Sequence, residues 1–163
     1  MKLREEKGWA YGASSSIAGD GQGSRIFAAG AAVQTDKAAE SMAEILKVLR
    51  SITSDRPMPP DELIAAKNQM TLGLSSAWST SDGIAEYLVD QVSGRLPDDY
   101  YPRYAHSINA VTLEEINAAA TSLIGQRPIT WVVAGDLSRI ESAIRALELG
   151  EVAVIDADGN IVR

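Results

Sequence analysis

The sequence predicts an α+β fold, two-layered, with a mostly antiparallel sheet and helices packed on one of its faces. Two observations carry that prediction. Strand-like runs open the chain and return near its end, and a long middle stretch repeats its apolar residues at three- and four-residue steps. With 163 residues the chain is about one domain long, and residues 1–163 read as a single domain. A chain of that length buries roughly 70% of its unfolded surface. Its 45% hydrophobic and 23% charged residues are ordinary globular values and exclude disorder as a class.

From Trp9 to Ile17 large and small side chains alternate. Trp9, Tyr11 and Ile17 share one parity, and Ala10, Gly12, Ser14, Ser16 and Ala18 the other. Gly19-Asp20-Gly21-Gln22-Gly23 is a turn cluster, and a second run spans Arg25 to Val33. The pair predicts a β-hairpin. The small residues on one face predict that something packs very close to it. Met42, Ile45, Leu46, Leu49 and Ile52 predict a helix over 36–53. The proline-rich segment from Ser54 breaks it. Pro60, with Asp61 and Glu62 behind it, opens a second helix reaching Trp78 through Leu63, Ala66, Met70 and Ala77. A third starts at Asp82, uses Ile84, Leu88 and Val92, and stops at Gly94. A shorter stretch after Pro97 is interrupted at Pro102. Thr112 and Glu115 form a capping box for a helix carrying Ile116, Ala119, Ala120 and Leu123, closed by Gly125. Ile129 to Ala134 reads as a strand. Ser138 and Glu141 read as a second capping box, for a helix ending near Gly150, and Val152 to Ile155 as a last strand.

Composition narrows the chemistry. Net charge is −7, so clustered cations for phosphate are lacking and nucleic acid is a poor partner. There is no cysteine and one histidine, which excludes disulfides, thiolate zinc sites, cysteine nucleophiles and a two-histidine metal site within this chain. No apolar run reaches membrane-spanning length, and the first residues show no apolar signal-peptide region.

Most motifs have bland readings. The glycine cluster at 19–23 lies before a strand rather than a helix, which fits a hairpin loop and not a dinucleotide fingerprint. Asp156 to Asn160 resembles the start of a calcium loop, but its glycine is at the fourth position rather than the sixth. A tight turn between Val154-Ile155 and Ile161-Val162 fits better. His106 has no Gly-x-Ser-x-Gly partner for a metal-free hydrolase and reads as a surface or core residue. Glu40, Glu44, Glu114 and Glu115 read as solvated faces, and Tyr87, Tyr100, Tyr101 and Tyr104 as packing in the helical layer. The run Leu3 to Gly12 reads as a helix end, stopped at Gly8, entering a strand. It also sets Arg4 seven residues before Tyr11 across a glycine. The two side chains could converge on one spot, where a guanidinium grips a carbonyl or carboxylate and a phenol donates to an oxyanion.

Leu-Arg-Glu-Glu-Lys-Gly-Trp-Ala-Tyr-Gly at 3–12 resembles the pitrilysin/insulinase-like zinc metallopeptidases, and more narrowly the C-terminal, zinc-free half of bacterial members. Further pieces follow in register: Val33 to Glu40 with Glu44-Ile45-Leu46, Asp61 to Asn68, Leu96 to Tyr101, Ile108 to Ile116, and Val132 to Asp136. The resemblance implies a peptidase of two halves that close around an unfolded peptide substrate. Zinc sits in the other half, on a His-x-x-Glu-His motif that this chain lacks, so the chain holds no cofactor or metal of its own and is inactive alone. It implies that Arg4 and Tyr11 bind substrate and stabilise the transition state. The implied partners are a zinc-bearing N-terminal half or subunit and the peptide, and the compartment is periplasmic or extracellular. Family domains carry a strand and a helix before this motif. The chain therefore reads as an N-terminally truncated fragment, Met1 as an internal methionine, and the exposed sheet edge as a route to homo-oligomers. A scaffold or peptide-binding module without catalysis is the alternative.

Overall fold

The computed structural model describes residues 2–18, 25–125 and 127–162. Helices and a two-stranded antiparallel sheet make the chain α+β. The hairpin consists of β1 (Ala10–Ala18) and β2 (Ile26–Val33). The Gly19–Gly23 turn cluster lies outside the described residues. Beyond the strand ends the Gln34 amide donates to the Trp9 carbonyl at 3.0 Å, which extends the pairing by one residue pair. The small-residue face is not closely packed: a Cβ at Gly12 or Gly30 would meet nothing within 4 Å, and Ser14, Ser16 and Ala18 are exposed. Small size here leaves open surface rather than admitting a neighbour.

The helices are α1 (Ala38–Ile52), α2 (Pro60–Ala77), α3 (Ser81–Ser93), α4 (Tyr100–Ala110), α5 (Leu113–Ala120) and α6 (Leu137–Arg145). A 3₁₀ turn at Thr35–Lys37 leads into α1, and wide π-type turns occupy Lys2–Glu6 and Thr121–Gly125. Pro102 does not interrupt α4. It is the third residue of the helix, where no intrahelical N–H bond is lost. The predicted box at Thr112 and Glu115 forms in both directions. The second predicted box does not: Asp136 is the N-cap of α6 and accepts from the Ser138 amide at 3.1 Å. Glu141 instead pairs with Arg145 one turn on, at 2.9 Å. That helix ends at Arg145, short of Gly150.

Both late strands are corrected. Residues 129–134 take no strand conformation, and Val132 is 85% exposed. A strand needs a ladder partner, and the described residues supply none. The Val152 segment contributes only the antiparallel bridge between Ile155 and Ile161.

The chain divides into two compact units. One comprises Met1–Ser15, Ala29–Val48 and Thr130–Arg163. Its buried apolar residues, among those described, are Leu3, Ala38, Ala39, Met42 and Ile140, and α6 packs on the Thr35–Lys37 turn. A Cβ at Gly135 would lie 3.2 Å from the Ile140 Cδ1, so the Ile140 side chain would have to shift by a few tenths of an ångström to admit one. The other unit comprises Ser16–Ala28 and Leu49–Ile129. In it α2 packs against α4, Leu63 is buried, and the Lys67 ammonium donates to the Asn109 carbonyl at 2.8 Å. That contact places a cation on the negative end of α4. Trp78, Tyr87 and Tyr101 meet edge-on at 4.7–6.0 Å, and Tyr100 and Tyr104 extend the cluster, so the tyrosines pack the helical layer as their spacing predicts.

Candidate functional site

The site is built by the turn before β1. Leu3 is 5% exposed and anchors the Lys2–Glu6 turn, so the adjoining Arg4 side chain stands in solvent. Gly8 stops the turn at φ +65°. Two backbone bonds close it, from the Gly8 amide to the Arg4 carbonyl at 3.1 Å and from the Trp9 amide to the Leu3 carbonyl at 2.9 Å. The chain then enters β1, and alternation puts Tyr11 on its exposed face, at 88% exposure.

The reversal brings the two predicted residues together. The Arg4 guanidinium carbon lies over the Tyr11 ring, 5.4 Å from its centroid. That is cation–π distance. The guanidinium carries its N–H donors on its edge, and Tyr11 its hydroxyl at the ring tip, with both side chains exposed. The pair can therefore present several donors to one carbonyl, carboxylate or developing oxyanion.

A second aromatic–cation group adjoins it. The Lys7 and Lys37 ammoniums lie 5.3 and 5.7 Å from the Trp9 ring centroid. Lys37 is also paired with Glu40 at 2.9 Å. The hydrogen bond and charge of Glu40 raise the Lys37 pKa, and the same bond lowers that of Glu40. Gln34 completes the group: its side-chain amide donates to the Gly8 carbonyl at 3.3 Å. Sequence reasoning missed Trp9, Gln34 and Lys37 as parts of the site. Trp9 lies inside the run at 3–12, and Gln34 and Lys37 in the next matching piece. The signal was thus the pairing of the two pieces, which the hairpin brings together.

His106 is exposed on α4. The Asp156 carboxylate is engaged as a turn acceptor. It takes bonds from the Asp158 and Asn160 amides at 3.0 and 2.8 Å, and these bonds, that of Asn160 foremost, depress its pKa. Among the described residues no group of three or more His, Cys, Asp and Glu could hold a metal ion, and a single histidine with no cysteine does not fit a zinc centre. No described helix is long and apolar enough to cross a membrane.

The sequence model of one family, described as the Peptidase M16 inactive domain, matches residues 1–70. The match takes in Arg4, Tyr11, Gln34 and Lys37 and ends before the resembling pieces that start at Leu96. No curated protein and no solved structure matches the chain.

Proposed function

From the premise that residues 1–70 are an M16 peptidase inactive domain, of the pitrilysin/insulinase-like family, we propose that the chain is the zinc-free, substrate-binding part of a zinc metalloendopeptidase. The observation that carries this reading is the exposed pair, with Arg4 seated 5.4 Å from the Tyr11 ring centroid on the only sheet among the described residues. Arg4 grips a peptide carbonyl or carboxylate in two-pronged fashion, which a lysine cannot reproduce. Tyr11 donates to the oxygen that gains charge as the peptide bond is attacked. The zinc belongs to a partner half or subunit, and closure of the two parts couples capture of an unfolded peptide to its cleavage.

The test is reconstitution with the half that carries His-x-x-Glu-His. The chain alone is expected to cleave no peptide, and the mixture to cleave it. Arg4→Lys is expected to raise KM about tenfold, the scale of a lost charge-assisted bond. A mixture no more active than the zinc half alone would assign the chain a scaffold role instead.

A further inference from the structure

Gln34 sits where a helix N-cap residue would sit, directly before the Thr35–Lys37 turn, yet its side chain makes no bond to that turn. It reaches back 26 residues and donates to the Gly8 carbonyl, while its own backbone amide donates to the Trp9 carbonyl. One residue at the end of β2 thus holds two successive peptide groups of the turn that separates Arg4 from Tyr11. The turn's own two backbone bonds tie Gly8 and Trp9 back to Arg4 and Leu3, and the Gln34 bonds tie the same two residues to the end of β2. Gly8 is at φ +65°, and a Cβ there would meet nothing within 4 Å, so no side-chain packing fixes that residue. A glycine with open space around it has several conformations within reach. A change at Gly8 alters the angle at which the Arg4 turn meets the strand that carries Tyr11. The Lys37 ammonium, 5.7 Å from the Trp9 ring centroid, holds the same turn from the next residue along.

We propose that Gln34 is a positioning residue, fixing Arg4 over Tyr11 by fastening the Gly8–Trp9 turn to the end of β2. The inference rests on the proposed function for its purpose, but the contact it concerns is measurable without turnover.

In the full chain the Tyr11 ring shields the Arg4 side-chain protons, which ¹³C-edited NMR reads directly, and Tyr11→Leu supplies the unshielded reference. Gln34→Glu keeps the side-chain length and replaces the donor with an acceptor that repels the Gly8 carbonyl. It is expected to cut the Arg4 shielding about twofold or more, since a net hydrogen bond is worth a factor of about 2 to 10 in an equilibrium, measured well below the melting temperature so that the chain stays folded. Gln34→Lys, which restores a donor, is expected to recover the shielding. Wild-type shielding in Gln34→Glu overturns the inference, as does a loss that Gln34→Lys fails to repair. Should Gln34→Glu not fold, Gln34→Ala makes the same comparison. Arg4→Lys and Tyr11→Phe kinetics test the proposed function separately, so the two readings fail by different measurements.

Discussion

Gly8 and Ser41 show how single residues are constrained here by conformation and by solvation. Gly8 has a left-handed φ and open space around the Cβ position, so a side chain there strains the backbone and clashes with nothing. Gly8→Ala should cost about 1–2 kcal/mol in chemical denaturation, and Gly8→Asn should recover much of it, because Asn tolerates that region. Ser41 is 1% exposed, and its hydroxyl has no hydrogen-bond partner among the described residues. A buried unpaired hydroxyl is a cost. Ser41→Ala should therefore raise the melting temperature, and a fall would show that the hydroxyl is satisfied. Gly8 as a stop, and the approach of Arg4 to Tyr11, were legible in the sequence because both follow from one short run. Gln34 was not, since a bond spanning 26 residues leaves no local spacing to read. Gly94 was legible as a stop for a different physical reason. It has ordinary φ −78°, and a Cβ there would meet the Asp90 carbonyl at 2.8 Å, while Arg95 takes the left-handed conformation at φ 49°.

The elements that formed as read are those with local chemistry. The Thr112–Glu115 box is a pattern of four consecutive residues and needs nothing distant; Thr112→Ala should cost about 0.5–2 kcal/mol. Bonds from the Thr112 amide and hydroxyl lower the Glu115 pKa. A depressed carboxyl contributes stability above its unfolded value, and that contribution fades as pH falls through the folded value. Acidification below about pH 4 should therefore fray the start of α5 and open the Asp156 turn, seen as lost amide protection at Glu115 and Asn160. The aromatic cluster responds in the opposite direction. Burial first, and the Asp90 charge next, raise the Tyr101 pKa, and burial raises that of Tyr104. Their contribution is complete below the ordinary phenol value and is lost as pH rises through the folded values. Ultraviolet titration should find both phenols ionising above the ordinary tyrosine value. The run at 129–134 failed as a strand because alternation and β-propensity describe a surface that fits a sheet and cannot create the neighbouring strand. Asp136 displaced Ser138 as the cap of α6 because the carboxylate two residues earlier reaches the Ser138 amide first.

At the scale of the molecule, the fold class, and the resemblance that the family match over residues 1–70 supports, were more legible than the sheet. Helical periodicity survives in any α+β arrangement, whereas sheet extent depends on pairings between distant segments. The family match to residue 70 covers the hairpin, α1 and the start of α2, and so includes every residue assigned to the site. Arg4 and Tyr11 project from a unit whose described residues hold no group of three or more metal-ligating side chains, and the proposed function assigns bond cleavage to a partner and substrate contact to this chain. The division of labour makes Tyr11 the sharpest probe, because losing its hydroxyl removes one donor and little bulk. The decisive measurement is peptide turnover by the zinc-bearing half reconstituted with Tyr11→Phe. The expected result is a fall in kcat of about 10²–10³ with KM little changed; a kcat within about twofold of the unmodified mixture would contradict the account.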